Sequence, residues 1–333
     1  LVMELLARGL ESASGRMHPE LPTVTGWISE GQCGNDVLQQ QPLVVLKSPN
    51  PQVALGMSRR GLLTTGAALL CITACTRRPQ NMKTTAHFAL GRYQDLLLQT
   101  EVEVGSERLP FLFDTGAGMT CLTPATAEIL GCSPAGRVTG FRKSGERING
   151  PKCEAVPLVL DGKVQVEADC VVLDLMKLLP PDWPPLSGAI ALNSVAGRAL
   201  GLYRARQARV GATPDAVMDG TGWREGRARI AREVGGASLT MFVAIETPQT
   251  TLWFLLDTGN TGPTLIAPHA AALLGITDKG QPQQVTVKAT GVGTLPLDAV
   301  IQEMIHDGLI GLPAMEDWDL VMDLATPRYW LRS

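Results

Sequence analysis

The sequence predicts a mainly β protein made of two related lobes with short helices, and three observations carry that prediction. Alternating apolar and polar residues recur in short runs separated by Gly- and Pro-containing turns, the period-2 signature of half-buried strands. The tripeptide Asp-Thr-Gly occurs twice, at Asp114-Thr115-Gly116 and Asp257-Thr258-Gly259, each at the end of an apolar run. Each copy sits in the same frame: a strand, a turn, a return strand, the tripeptide, then Pro, an alanine-rich segment and Leu-Gly. A repeat at this long spacing means two lobes rather than a solenoid, whose repeats are far shorter.

The elements follow in order. Leu98, Thr100, Val102 and Val104 alternate with Gln99, Glu101 and Glu103, Gly105-Ser106 supplies a turn, and Leu109 to Phe113 returns to Asp114. Pro124 stands where the first helical turn tolerates a missing N–H, and Gly131 closes that helix. In the second copy Leu239, Met241, Val243 and Ile245 alternate, Thr247-Pro248-Gln249 turns, and Leu252 to Leu256 returns to Asp257. Pro268 and Gly275 bracket the second helix. The lobes end alike, on Ser187-Gly188-Ala189-Ile190-Ala191-Leu192 and on Asp307-Gly308-Leu309-Ile310-Gly311-Leu312. The first lobe is assigned to residues 96–210, an interlobe linker to 211–228 and the second lobe to 229–333.

Composition bounds the function. The chain has 333 residues, 45% of them hydrophobic, enough for substantial cores. A net charge of −3 without a basic block excludes an electrostatic nucleic-acid surface, and only 5% aromatic residues argues against a stacking platform. The four histidines are scattered, with no metal-ligand spacing, and no phosphate-cradling loop is present. Neither a metal nor another cofactor is expected.

The N-terminal quarter reads differently. Residues 1–56 show no sustained periodicity and are read as a disordered extension ahead of the true start at Met57. Ser58-Arg59-Arg60-Gly61-Leu62-Leu63 begins an uncharged run through Ala74, the layout of an export signal and too short to span a bilayer comfortably. The arginine pair resembles a twin-arginine signal, and Ile72-Thr73-Ala74-Cys75 resembles a bacterial lipobox. The resemblance implies that residues 57–75 are signal, that Cys75 is acylated as a membrane anchor, and that residues 76–95 are a tether. Thr76 in place of Asp implies an outer-membrane lipoprotein facing the periplasm.

Two carboxylates brought close together cannot both ionise easily, so they share a proton. One then serves as base toward a water held between them, and the protonated partner polarises a carbonyl. Gly116 and Gly259 let backbone approach where a Cβ would clash, and the hydroxyls of Thr115 and Thr258 can bond across to the opposite loop. This doubled Asp-Thr-Gly pattern, with Ala117 and the Ala/Leu-Gly helix behind it, resembles the aspartic proteases, and among them the retroviral-type (retropepsin-like) group. The resemblance covers about residues 98–333. It implies two β-barrel lobes with the site between them, Asp114 and Asp257 as the catalytic pair, and hydrolysis of extended polypeptides. Both halves are in one chain, so a monomer suffices. The alternative is a peptide-binding envelope lipoprotein on the same fold with little or no catalysis.

The resemblance also implies glycine-rich flaps. The candidates are residues 138–150, centred on Lys143-Ser144-Gly145, and residues 288–294 around Gly291-Val292-Gly293. The chain departs from the family pattern at Asn260, where Ala or Ser is usual, and at Ala191, where Gly is expected. The second loop is one residue longer, since Pro268 follows Asp257 by 11 positions and Pro124 follows Asp114 by 10. The extra methyl at Ala191 predicts crowding behind the first loop. For the cysteines, a two-residue turn at Asp161-Gly162 pairs Leu160 with Lys163 and puts Cys153 opposite Cys170 at a non-hydrogen-bonded position. That register predicts a Cys153–Cys170 disulfide and leaves Cys121–Cys132 as the remaining pair.

Overall fold

The computed structural model describes residues 85–277 and 280–333. The N-terminal extension, the export signal with Cys75, and the tether as far as residue 84 lie outside the described residues. The first half contains strands β1 (Ala86–Ala89), β2 (Gly91–Tyr93), β3 (Leu97–Val104), β4 (Glu107–Phe113), β5 (Thr120–Leu122), β6 (Arg137–Phe141), β7 (Arg147–Leu160), β8 (Val164–Val172), β9 (Gly188–Ile190), β10 (Ala199–Tyr203) and β11 (Gln207–Gly211). The second contains β12 (Arg224–Ala231), β13 (Thr240–Glu246), β14 (Thr251–Asp257), β15 (Thr264–Ile266), β16 (Gln283–Ala289), β17 (Gly293–Ile301), β18 (Gly308–Gly311), β19 (Asp319–Asp323) and β20 (Arg328–Arg332). Four short helices interrupt them: α1 (Pro124–Ile129), α2 (Pro214–Val217), α3 (Pro268–Leu274) and α4 (Leu312–Met315).

The repeat is visible in the strand pairing. In the first lobe β3 pairs antiparallel with β4, β4 parallel with β9, β9 antiparallel with β5, β5 parallel with β8, β8 antiparallel with β7, and β7 back onto β3. In the second lobe β13, β14, β18, β15, β17 and β16 follow that cycle with the same orientations, and β16 closes onto β13. Each lobe is therefore a six-stranded ring whose inward residues form its core. The alternation forecast for the first strand is realised: Leu98, Thr100, Val102 and Val104 are buried while Gln99, Glu101 and Glu103 are half-exposed. The helices begin and end where Pro and Gly punctuate them. Thr123 caps α1 by accepting a hydrogen bond from the Thr126 N–H, and Gly275 ends α3 in the left-handed conformation at φ 71°.

The remaining strands join the rings. β1, β11, β10, β19, β20 and β12 form consecutive strands of one sheet, in which β10 from the first half pairs with β19 from the second. The connection between lobes is thus a shared sheet, and the segment read as a linker carries α2 and the start of β12. Residues 86–93, read as part of a tether, instead form β1 and β2. Phe88 is buried there, and β1 runs antiparallel to β11. A polar, mixed sequence is enough for a strand that buries one ring and takes its hydrogen bonds from a neighbour.

The cysteine pairing also differs from expectation. Neither Cys153–Cys170 nor Cys121–Cys132 forms; Cys132 is bonded to Cys153, and Cys121 and Cys170 are buried free thiols. Leu160 pairs with Val164, so the turn is one residue longer than read, but a bulge between Cys153 and Val156 restores the count and Cys153 does face Cys170 across the ladder. The competitor is Cys132, just past α1. Its chain is laid along β7 by Ala135 N–H to Lys152 O (2.7 Å) and Lys152 N–H to Gly136 O (3.0 Å). That brings the Cα atoms of Cys132 and Cys153 to 5.9 Å, a normal disulfide span.

Candidate active site

Strands β4 and β14 deliver Asp114 and Asp257 from opposite lobes to one point. The apolar residues before each aspartate bury that point: Asp114 is 5% exposed and Asp257 is fully buried. The two threonines lock the loops together through four reciprocal bonds. Thr115 N–H donates to Thr258 Oγ1 and Thr258 N–H to Thr115 Oγ1, both at 3.0 Å. Thr115 Oγ1 donates to Leu256 O and Thr258 Oγ1 to Phe113 O, both at 2.8 Å. Each hydroxyl accepts one bond and donates one across the lobe boundary, so the two loops are fixed by the same geometry.

The carboxylates are held the same way. Asp114 Oδ1 accepts from Gly116 N–H (2.9 Å) and Asp257 Oδ1 from Gly259 N–H (2.8 Å). The glycines are required by proximity. A Cβ on Gly116 would lie 2.3 Å from Asp257 Cγ, and one on Gly259 would lie 2.6 Å from Asp114 Oδ2. Each aspartate thus packs against the glycine of the other loop. Asp257 Oδ2 is buried and, apart from the Asp114 carboxyl beside it, meets no hydrogen-bonding group among the described residues. Burial first, and the negative charge of Asp114 second, raise the Asp257 carboxyl well above the usual carboxylate range. Such a pair retains a proton when isolated surface carboxylates have lost theirs, as shared-proton acid–base chemistry requires.

The residues that depart from the family pattern leave this geometry intact. Ala191 is buried, and its N–H donates to Thr120 Oγ1 (3.2 Å) without displacing Asp114, whose N–H still reaches Ile190 O at 2.9 Å. The crowding predicted from its methyl does not occur. In the second lobe Asn260 Nδ2 donates to Pro263 O (2.9 Å), filling the extra length of that loop.

A cleft of about 280 Å³ opens at the pair, with Asp114 and Gly116 in its wall. Most of the lining is apolar, drawn from Met119, Val171, Leu173 and the 3₁₀ turn Leu175–Leu178 of the first lobe and from Phe242, Leu255 and Ile305 of the second. The hairpin expected to form the first flap contributes to its lining. Hairpin β6–β7 lines the cleft through Val138, Thr139, Gly140, Phe141, Ile148 and Gly150. Its central residues Lys143, Ser144 and Gly145 form the tip beyond the lining, where Lys143 O accepts a hydrogen bond from Ile305 N–H of the other lobe (3.0 Å).

The second predicted flap is not at the cleft. The turn Gly291-Val292-Gly293 docks on β12: Thr290 O accepts from Arg227 N–H (3.1 Å), Val292 is buried, and a Cβ on Gly291 would lie 2.3 Å from Glu225 O. Its glycines serve that close packing instead. Sequence reading missed Glu233, Phe242 and His306 as cleft residues. No local pattern marks them, since separate segments converge there. Burial lowers the pKa of His306, whose ring meets Phe242 edge-on at 5.3 Å. Among the described residues no group of three or more His, Cys, Asp or Glu is gathered for a metal ion.

No family model and no curated protein matches the sequence. Among solved structures, basic 7S globulin from soybean and conglutin gamma, a basic 7S globulin from lupine seeds, each align over 75% of this chain and 95% of theirs, at 10% identity and a TM-score of 0.48. The aspartic proteinase from Irpex lacteus aligns over 75% of this chain and 97% of its own, at 13% identity and a TM-score of 0.48.

Proposed function

We propose that this chain is a single-chain aspartic endopeptidase that hydrolyses extended polypeptides through Asp114 and Asp257. The observation that carries the reading is the reciprocal bonding of the two Asp-Thr-Gly loops, which packs each carboxylate against the glycine of the other. In this mechanism the pair holds one proton. The ionised carboxylate takes a proton from a water, the water oxygen attacks the peptide carbonyl carbon, and the protonated carboxyl donates to the carbonyl oxygen. The tetrahedral intermediate then collapses as the amine leaves with the proton taken from water. The other carboxylate takes a proton from the gem-diol hydroxyl that becomes the acid carbonyl, so the pair again holds one proton. The β6–β7 hairpin supplies main-chain groups along the cleft, the means by which an extended peptide is held.

One observation favours a second reading, a peptide-binding protein with weak or no catalysis: Asp114 lines the cleft, whereas Asp257 is fully buried behind it. Incubating the purified protein with a peptide library, alongside Asp114→Asn and Asp257→Asn, separates the two. Cleavage by the wild type and by neither variant supports the peptidase. Cleavage that survives either substitution refutes the pair, and binding without cleavage supports the second reading.

We also propose, from the lipobox resemblance, that the protein is an envelope lipoprotein anchored through Cys75 and facing the periplasm. Cys75→Ser then releases it from the membrane fraction; a variant that stays membrane-bound overturns the anchor.

A further inference from the structure

The cleft is chemically lopsided. Its first-lobe wall is apolar apart from Asp114 and Thr139, whereas the second-lobe wall adds Glu233, Ser238, Thr240 and His306 to Val234, Phe242, Leu255 and Ile305. Glu233 and Asp114 are the two acidic residues in the lining. Glu233 is exposed, and its carboxylate enters none of the ion pairs found among the described residues.

Its position is fixed by the catalytic loop. The Glu233 carbonyl accepts bonds from Gly236 N–H (2.9 Å) and Ser238 N–H (3.2 Å), and Glu233 N–H donates to Ser238 Oγ (2.9 Å), closing a tight turn. Two bonds pin that turn to the first lobe. Leu239 N–H donates to Gly118 O (2.7 Å), four residues from Asp114, and Asn193 Nδ2 donates to Ala237 O (3.1 Å). The backbone that carries this surface acid is thereby held beside the loop of Asp114.

We infer that Glu233 makes the second-lobe wall a subsite for a lysine or arginine side chain of the peptide, close to the bond to be cut. The proposal rests on the peptidase reading for the word "cut" but not for the binding. A long aliphatic stem lies well along Val234, Phe242 and Ile305 while its charged head reaches the carboxylate at the rim. Glu233 and Arg229 both act electrostatically on His306, and the Arg229 guanidinium is already stacked over Phe242 (4.9 Å) and Trp253 (5.2 Å). Asp307 is likewise occupied, accepting from Trp253 N–H (2.8 Å) and paired with His269 (2.9 Å).

The test is a set of octapeptides with one non-cleavable reduced bond, carrying lysine, norleucine or glutamate in turn at each position flanking that bond. Affinities are measured by fluorescence anisotropy on the purified wild type, Glu233→Gln and Glu233→Lys, with near-ultraviolet circular dichroism to verify folding. At one position the wild type should bind the lysine peptide about fivefold more tightly than norleucine, the scale of a single partly exposed ion pair. Glu233→Gln should bring that ratio to about one, and Glu233→Lys should transfer the preference to glutamate. Absence of a lysine preference at every position, its survival in Glu233→Gln, or a glutamate preference in the wild type overturns the subsite. If the lysine preference holds while no natural peptide is cleaved, only the peptidase reading fails. If cleavage occurs without it, only the subsite fails.

Discussion

Replacing Asp257 with asparagine should make the protein more stable and, on the peptidase reading, sharply lower cleavage. Asp257 is fully buried, its Oδ1 is engaged by Gly259 N–H, and its Oδ2 meets no donor, with a second carboxyl beside it. Asparagine keeps the shape and the acceptor for Gly259, and it adds a donor where the orphan acceptor stood. Where the pair has lost its shared proton, replacing the unpaired buried acceptor with a donor to Asp114 is worth about 1–3 kcal/mol. For a domain of this size that raises Tm by roughly 2–10 °C.

The sign of the pH dependence follows from the raised pKa. Above the ordinary carboxyl value of about 3.9, the unfolded chain loses its proton while the folded pair retains it. Wild-type stability therefore falls as pH rises through that window, up to the raised value in the fold. Asparagine does not titrate, so the gain should grow from pH 4 toward pH 8 in calorimetric scans of both proteins. Cleavage should fall by about 10²–10⁴, the usual contribution of a positioned acid–base group. A variant less stable than wild type at pH 7, or a difference that does not change with pH, would refute the strained pair.

Three further outcomes are expected. Thr258→Val removes the acceptor for Thr115 N–H and the donor to Phe113 O, so urea unfolding should show a loss of about 2–4 kcal/mol, while Thr258→Ser, which keeps both bonds, should lose under about 1 kcal/mol. Cys132→Ser opens a loop with a sequence separation of 21 residues and should cost about 3 kcal/mol; a non-reduced peptide map should link Cys132 to Cys153 and find Cys121 and Cys170 alkylated only after unfolding. Gly311→Ala should destabilise by about 1–3 kcal/mol through overpacking against the Asn260 side chain and the backbone oxygens of Gly262 and Asn260, and only part of that cost should vanish in an Asn260→Ala background, because the backbone oxygens stay.

Those features that depend on residues close in sequence were legible in it. The alternation in β3, the apolar approach to each aspartate, and the Pro and Gly that bracket α1 and α3 all reappear in the fold, whereas β13 forms where expected but buries five consecutive residues, Met241 to Ile245. So does the meeting of the two loops, because the tripeptide carries its own cross-lobe donors and acceptors. What failed was long-range. Gly291-Val292-Gly293 has the composition of a flap tip, but its destiny is set by Glu225 and Arg227, to which its backbone is fitted. The shared sheet was invisible because β10 and β19 find each other across the whole second lobe. Cys153 was placed opposite Cys170 correctly, yet the bond went to Cys132 because the segment after α1 runs alongside β7. Glu233 and His306 reach one wall from segments with no shared motif.

The two lobes meet the same packing problem with different residues, which explains why neither irregular residue disturbs the pair. Asp257 lies opposite Gly311 in the β14–β18 pairing, and the β4–β9 register places Ala191 correspondingly beside Asp114. Behind the second loop, Asn260 brings a long side chain, and the space it takes is the space a Cβ would need: a methyl on Gly311 would lie 2.5 Å from Asn260 Nδ2 and 2.7 Å from Gly262 O. In the first loop the corresponding residue is Ala117, a short side chain that is half-buried and lines the cleft. Neither arrangement pushes its loop out of line. The cross-lobe bonds bear this out, because their lengths are the same in both directions, 3.0 Å for the amides and 2.8 Å for the hydroxyls. A loop pushed forward by a misfit would have lengthened one member of each pair. Asn260 and Ala191 are each departures when read alone, yet the reciprocal bonding of the two loops is the same on both sides.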